Sequence, residues 1–333
     1  MSFRGHPSSP GSEACAAPAQ GRIVLSEPRG CAVTWQCHGP IDAPMVVVQG
    51  GISANAQVAD SPCGSRSGWW RNLVGPGCAI DTTQVCVLSL DYLGGPQDRF
   101  GYEPASVTPR LQAAATARVL RALGVSKLRA FVGASYGGMV GLALAARYPQ
   151  LLEKLLVISA PATPDPTATA WRCVQRRILE LGEAGLRRDD ALALARALAM
   201  TTYRSRDEFR ARFSTRTTEA NSSFPVEEYL TARGRAFVAR FSTVAYARLS
   251  LAMDLHDVDP RQIRVPTTVV GTTTDQLVPP QQLRELARSI SAPTQLELFY
   301  SPYGHDAFLK ETDRLAAILR CVGVEGGSKN GPQ

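Results

Sequence analysis

A serine within a glycine-rich turn offers the clearest chemistry in this sequence of 333 residues. The run G-A-S-Y-G-G (133–138) follows an apolar segment and precedes a helical pattern, with Ser135 at its centre. Gly133 and Gly137 allow a sharp turn between strand and helix, so that the Ser135 hydroxyl projects above the sheet. The start of the helix directs backbone N–H groups at developing negative charge. We therefore predict that Ser135 is a nucleophile that forms a covalent acyl-serine.

A serine hydroxyl needs a base to take its proton, and the base needs a third group that fixes its tautomer. His305 follows the last predicted strand in S-P-Y-G-H-D-A-F-L, where such a base is expected. Asp275 follows the preceding strand in G-T-T-T-D-Q-L-V-P-P and is the predicted acid. The other histidines occupy less suitable segments: His6, His38 and His256. The chain order Ser, Asp, His is that of an α/β-hydrolase triad.

A tetrahedral oxyanion needs two hydrogen-bond donors. The residue after the nucleophile, Tyr136, is expected to supply one backbone N–H. The loop after the third strand, Q-G-G-I-S-A-N-A-Q (49–57), is expected to supply the other. The sequence leaves open whether Gly51 or Ile52 is that donor.

The sequence around these residues alternates between short apolar runs and helical patterns. This alternation predicts a mostly parallel sheet that is covered by helices on both faces and positions the catalytic residues. An α/β-hydrolase core is predicted over 21–160 and 261–323, with an inserted helical cap over 161–260. A disordered leader is expected over 1–20 and a disordered tail over 324–333. The last helix is expected over about 306–321. The predicted strands are 22–27, 32–37, 45–49, 85–90, 128–133, 154–159, 266–271 and 295–300.

Composition argues against several classes of function. The net charge of +7 is the excess of 36 basic over 29 acidic residues. The basic residues are spread along the chain rather than clustered with aromatic residues, so nucleic-acid binding is not expected. No apolar run reaches the roughly 18 residues that a membrane span requires, and the first residues lack the apolar region of a signal peptide. The eight cysteines show neither metal-ligand spacing nor the density of a disulfide scaffold. We expect reduced thiols, no metal and a cytoplasmic location.

Several further motifs resemble the homoserine O-acyltransferase family over nearly the whole chain, from about 22 to 322. The most specific are G-H-D-A-F-L (304–309) and the segment from Y-L-T-A-R-G-R-A-F-V-A-R-F (229–241) to Tyr246. The resemblance implies that Ser135 takes an acyl group from an acyl-CoA cosubstrate and passes it to the hydroxyl of L-homoserine, with no further cofactor. It also implies a homodimer and a role in methionine biosynthesis.

The resemblance assigns three residues to the acceptor, which carries a carboxylate and an ammonium group. Arg240 would pair with the carboxylate, Tyr246 would support it, and Asp306 would hold the ammonium beside the base. The chain departs from the usual family pattern at G-G-I-S (50–53), after L-G-G (93–95) and at S-T-V-A-Y (242–246). Its compact form resembles the succinyl-CoA branch slightly more than the acetyl-CoA branch. An L-serine acyltransferase and a serine esterase are the alternatives.

Overall fold

A computed structural model describes residues 19–25, 31–61, 64–98, 100–184, 187–216 and 223–324. The predicted leader falls outside these residues except for positions 19 and 20, and Gln20 already begins the first strand. The predicted tail falls outside them except for Val324, which is buried.

Eight strands form one sheet in the order β1-β2-β6-β3-β7-β8-β9-β10, and β4 and β5 form a small separate pair. β1 and β2 form the antiparallel hairpin that the sequence predicts, β2 pairs antiparallel with β6, and all later pairings are parallel. The eight strands match the eight predicted segments, whereas the β4–β5 pair was not predicted. The bounds are β1 Gln20–Val24, β2 Ala32–His38, β3 Met45–Gln49, β4 Val74–Gly75, β5 Ile80–Asp81, β6 Cys86–Leu90, β7 Ala130–Ala134, β8 Leu155–Ile158, β9 Thr267–Thr272 and β10 Thr294–Phe299.

The central strands are buried on both faces, which explains their continuous apolar sequences. In β3, Val47 packs into the core on one face, whereas Val46 and Val48 pack into the core on the other. Helices cover both faces and complete the predicted α/β architecture. Their bounds are α1 Pro109–Ala122, α2 Tyr136–Arg147, α3 Pro166–Ala184, α4 Arg188–Tyr203, α5 Arg206–Arg212, α6 Pro225–Val238, α7 Thr243–Asp254, α8 Pro280–Ser289, α9 Ala307–Lys310 and α10 Thr312–Val322.

Helices α3 to α7 lie between β8 and β9 and form the inserted segment that the sequence predicts as a cap. The two stems of this insertion are joined by hydrogen bonds. The Nε2–H of His256 donates to the Pro161 carbonyl at 3.1 Å, and the Val258 N–H donates to the Ala162 carbonyl at 3.1 Å. The chain therefore leaves the core and returns to it at neighbouring points.

The prediction of a single final helix over about 306–321 is wrong, because the chain forms a 3₁₀ turn over Gly304–Asp306 and then the two helices α9 and α10. The helix breaks at Glu311, which has φ −87° and ψ 56°. In a continuous helix the Phe308 carbonyl would accept the Thr312 N–H. Instead it accepts the indole N–H of Trp70 at 2.8 Å. A tertiary contact thus replaces one helical hydrogen bond.

None of the helices in the described part of the chain combines the length and apolarity that a bilayer-spanning segment requires.

Candidate active site

Ser135 occupies the turn between β7 and α2 with φ 54° and ψ −120°, a conformation that L-residues rarely adopt. The turn is possible because glycines flank it on both sides. A Cβ on Gly133 would overlap the Gly137 carbonyl, and a Cβ on Gly137 would overlap the Gln49 carbonyl. A strained residue in such a close-packed turn is typical of a functional site.

Three side chains form a continuous hydrogen-bonded chain. The Ser135 hydroxyl lies 2.8 Å from His305 Nε2, and His305 Nδ1 lies 2.8 Å from Asp275 Oδ2. Because a carboxylate only accepts, Nδ1 carries the proton and Nε2 is left to accept the hydroxyl proton. The structure thus brings together the three residues predicted from the sequence, in the geometry that activates a serine.

Asp275 is itself fixed by the backbone. Its Oδ1 accepts the N–H groups of Leu277 at 2.9 Å and Val278 at 3.0 Å, and the residue is only 4% exposed. Burial of His305 lowers its pKa, but the charge and hydrogen bond of Asp275 outweigh burial, and the pKa of His305 lies above its usual value of 6.5. The carboxylate therefore makes the imidazole both oriented and more basic.

The loop after β3 passes directly beside the nucleophile. A Cβ on Gly51 would lie 4.0 Å from the Ser135 Cβ. The preceding Gly50 carbonyl accepts the Gly137 N–H at 2.9 Å and the Tyr92 hydroxyl at 2.6 Å, so the loop is tied to the start of α2. Tyr136 is the first residue of α2, where a backbone N–H has no partner within the helix. Gly51, Ile52 and Tyr136 therefore stay the predicted oxyanion donors.

Ser135 and His305 open into a cavity of about 230 Å³ between the sheet and the cap helices. The three residues predicted to bind the acceptor, Arg240, Tyr246 and Asp306, also line this cavity. Arg240 lies just after α6, is exposed, and also lines a neighbouring crevice. The structure therefore places the nucleophile, its base and the three predicted acceptor-binding residues around one cavity.

Two of these residues have protein partners that the sequence did not indicate. The Tyr246 hydroxyl donates to Gln175 Oε1 at 2.7 Å. Asp306 Oδ2 accepts the Nε–H of Arg204 at 2.9 Å, and Arg204 also pairs with Glu208 at 2.6 Å. Their predicted roles toward substrate stay predictions.

Sequence reasoning missed Arg204 and Gln175, which orient the predicted binding residues. Neither lies in a recognisable motif, and Arg204 is one of many arginines in the chain. It also missed Ser159, a buried residue with φ 50° at the end of β8 that lines the cavity. A positive φ at a residue other than glycine is visible only in the backbone geometry.

No group of histidine, cysteine or acidic residues suited to a metal ion occurs in the described part of the chain. The expectation of a metal-free reaction stays a prediction.

Comparison with known proteins identifies relatives of this chain. A family model described as the alpha/beta hydrolase fold matches residues 44–312. Homoserine O-succinyltransferase from Xanthomonas campestris pv. campestris is 40% identical over 319 residues, which cover 93% of this chain and 85% of that protein. Homoserine O-acetyltransferase from Thermus thermophilus is 37% identical over 280 residues, which cover 76% and 71% of the two chains.

A solved structure shows the same fold at low sequence identity. The crystal structure of homoserine O-acetyltransferase from Bacillus anthracis superimposes with a TM-score of 0.81 at 16% identity, covering 95% of this chain and 100% of that chain. At this identity the likeness concerns the fold alone.

Proposed function

Since this chain belongs to the homoserine O-acyltransferase family of the α/β-hydrolase fold, we propose that it transfers an acyl group from an acyl-CoA to the hydroxyl of L-homoserine. The observation that carries the proposal is the hydrogen-bonded chain Ser135–His305–Asp275, with 2.8 Å at each step, beside a cavity lined by Arg240 and Asp306. An esterase has no need of a cation and an anion placed to receive an amino acid.

In the first half-reaction, Ser135 Oγ attacks the thioester carbonyl carbon while His305 Nε2 takes the hydroxyl proton. The tetrahedral oxyanion accepts hydrogen bonds from the N–H of Tyr136 and from that of Gly51 or Ile52. When the intermediate collapses, the carbon–sulfur bond breaks and the CoA thiolate takes the proton back from Nε2. An acyl-Ser135 ester and free CoA are left.

In the second half-reaction, L-homoserine enters the emptied cavity. Arg240 pairs with its carboxylate, Tyr246 supports that contact, and Asp306 holds its ammonium group. His305 Nε2 takes the proton of the homoserine hydroxyl as the oxygen attacks the acyl carbon. Collapse of the second tetrahedral intermediate returns this proton to Ser135 Oγ and releases O-acyl-homoserine.

We further propose succinyl-CoA as the preferred donor, because the succinyltransferase relative is the more similar of the two transferases compared. The remaining parts of the proposal follow the family: a cytoplasmic homodimer that works in methionine biosynthesis, with acyl-CoA as cosubstrate and no other cofactor. L-Serine as acceptor and simple ester hydrolysis are the alternatives that the experiment must separate.

The test is to mix the enzyme with succinyl-CoA or acetyl-CoA alone and measure CoA release with a thiol reagent. We expect a burst of one CoA for each active site, an acyl adduct on Ser135 by mass spectrometry, and continued turnover only after homoserine is added. Ser135→Ala should show neither burst nor adduct. A rate law that requires both substrates before CoA is released would refute the covalent mechanism. Equal turnover with water would favour the esterase alternative, and faster turnover with serine would favour that acceptor.

A further inference from the structure

Tyr92 is a buried tyrosine that contacts the loop after β3 but has no role in the mechanism above. It is the second residue after β6 and is only 4% exposed. Its hydroxyl donates to the Gly50 carbonyl at 2.6 Å. Burial raises the pKa of this phenol well above its ordinary value of 10, so the hydroxyl keeps its proton near neutral pH. Tyr92 is therefore a fixed hydrogen-bond donor to the backbone beside the nucleophile.

The Gly50 carbonyl is held by two donors at once. Besides the Tyr92 hydroxyl, it accepts the Gly137 N–H at 2.9 Å from the first turn of α2. A carbonyl oxygen has two lone pairs, and both are used here. The backbone at Gly50 is also closely packed, since a Cβ there would lie 2.7 Å from the Trp69 ring. The peptide unit between Gly50 and Gly51 is thus fixed in one orientation.

The orientation of this peptide unit determines where the Gly51 N–H points. In a trans peptide the C=O and N–H lie in one plane and point in opposite directions. Neither Tyr92 nor Gly137 lines the catalytic cavity, whereas Gly51 lines it together with Ser135. The Gly51 N–H therefore faces the cavity, and it has no acceptor among the described residues. A free N–H beside the nucleophile is what a tetrahedral oxyanion requires.

The Ile52 N–H belongs to the next peptide unit, which is fixed in a different way. The carbonyl of that unit is that of Gly51, which accepts the Ala54 N–H at 2.9 Å and closes a turn within the loop. Within the described part of the chain, no hydrogen bond connects this second unit with α2. Only the first unit is tied to the helix that begins with Tyr136, the other predicted oxyanion donor. The geometry thus favours Gly51 over Ile52.

The Tyr92 ring also contacts the residue on the other side of the oxyanion site. The rings of Tyr92 and Tyr136 meet edge to face, with centroids 4.8 Å apart and an interplanar angle of 71°. Gln112 on α1 fixes the backbone next to Tyr92, because it accepts the Leu93 N–H at 3.0 Å and donates to the Leu93 carbonyl at 2.8 Å. One rigid side chain therefore contacts both predicted halves of the oxyanion site.

We propose that Tyr92 is a positioning residue for the oxyanion site. Its hydroxyl holds the peptide unit between Gly50 and Gly51 so that the Gly51 N–H donates to the tetrahedral oxyanion together with the Tyr136 N–H. Tyr92 touches no reacting atom and acts through this peptide unit alone. The inference rests on the acyl-serine mechanism proposed above, but not on the identity of the acyl donor or acceptor.

Tyr92→Phe tests the inference, because it removes the hydroxyl and keeps the ring contact with Tyr136. Loss of a complete oxyanion donor reduces kcat by about 10²- to 10³-fold. In Tyr92→Phe the donor is misoriented rather than lost, since the Gly137 N–H still holds the Gly50 carbonyl. We therefore expect the rate constant of the CoA burst, measured by rapid quench, to decrease by about 10- to 100-fold. The burst amplitude should stay at one CoA for each active site.

The second half-reaction should be slowed by the same factor. Both half-reactions form an oxyanion at the same place, so a defect in the oxyanion site affects acylation of Ser135 and transfer to homoserine alike. A residue that shaped the donor or acceptor pocket would affect only one of them. The KM for homoserine should change by less than about twofold, because the oxyanion is absent from the bound ground state.

Inhibition by a small alkyl trifluoromethyl ketone gives an independent measurement. Ser135 Oγ adds to the ketone carbon, His305 Nε2 takes the hydroxyl proton, and the carbonyl oxygen becomes a stable tetrahedral oxyanion. Because this adduct resembles the transition state, its inhibition constant in Tyr92→Phe should increase by about the factor by which the burst rate constant decreases.

Tyr102→Phe is the matched control. Tyr102 is also a buried tyrosine, its hydroxyl contacts the Cys31 thiol, and it does not line the cavity. The control therefore loses a buried phenol hydroxyl without affecting the loop after β3. Its burst and transfer rate constants should equal those of the wild type.

Three results would overturn the inference. The first is that both rate constants of Tyr92→Phe stay within about threefold of the wild type. The second is a decrease confined to one half-reaction. The third is a smaller burst amplitude with an unchanged rate constant, which would indicate misfolded protein rather than a misoriented donor.

Failure of the proposed function is distinguishable from failure of this inference. The wild-type enzyme would then transfer no acyl group to homoserine. Hydrolysis of p-nitrophenyl acetate through Ser135 would still compare Tyr92→Phe with the wild type, because it requires the same oxyanion site.

Discussion

Replacing Asp275 by asparagine should stop the reaction while preserving the fold. The Asp275 carboxylate accepts three hydrogen bonds, two from the backbone N–H groups of Leu277 and Val278 and one from His305 Nδ1. In Asp275→Asn the side-chain carbonyl keeps the two backbone hydrogen bonds, so the amide NH₂ faces Nδ1. Two donors cannot share a hydrogen bond, and the imidazole proton therefore moves to Nε2.

A protonated Nε2 cannot accept the Ser135 proton, which abolishes general-base catalysis. Acid-to-amide replacement in a serine triad reduces kcat by about 10⁴-fold, equivalent to about 5 kcal/mol of transition-state stabilisation. Because both backbone hydrogen bonds are kept, the free energy of unfolding should change by less than about 1 kcal/mol.

Initial rates of CoA release with homoserine present measure the first effect, and urea denaturation measures the second. Asp259→Asn is a suitable control, since Asp259 pairs with Arg261 at the surface, away from the cavity. A loss of less than about 100-fold in Asp275→Asn would show that tautomer control by this carboxylate does not limit the reaction.

Four further predictions concern pH, packing and binding. Since His305 must be neutral to act as base and its pKa is raised, kcat/KM for the donor should increase with pH and reach half its maximum above pH 6.5, as a pH–rate profile will show. Gly137→Ala should lower the free energy of unfolding by about 3 kcal/mol or more in urea titrations, because the added methyl group overlaps the Gln49 carbonyl. Burial lowers the pKa of His256 from the usual 6.5 to about 4. As the pH falls, the unfolded chain therefore protonates this imidazole before the folded chain does, and the free energy of unfolding should decrease by about 3 kcal/mol between pH 6.5 and 4. Calorimetry should show that His256→Gln removes this pH dependence. Asp306→Asn should raise the KM for homoserine while barely affecting attack on a small ester, and equal effects on both would refute its ammonium role.

The sheet and the triad were accessible from sequence because each depends on local patterns. A parallel strand buried on both faces is a continuous apolar run, as in β3 and β7. The carboxyl ends of such strands meet at one edge of the sheet, so Ser135, Asp275 and His305 could be assigned from their positions after strands. Order along the chain was then enough to predict that they meet.

Features that depend on contacts between distant segments were not accessible. The break at Glu311 depends on an indole N–H that comes from Trp70, more than two hundred residues earlier. The pairing of Asp306 with Arg204 and of Tyr246 with Gln175 depends on how the cap helices pack over the core. A helical repeat predicts that a cap exists but does not determine which of its polar side chains face the cavity.

The hydrogen bonds that join the two stems of the cap, from His256 to Pro161 and from Val258 to Ala162, have a consequence for how this scaffold can diversify. Because the stems meet, the intervening helices can be lengthened, shortened or exchanged without changing the neighbours of any strand in the sheet. A lineage can therefore acquire a new substrate by altering one contiguous stretch of its gene. For the protein engineer, the same two hydrogen bonds mark where a cap from another enzyme should be joined.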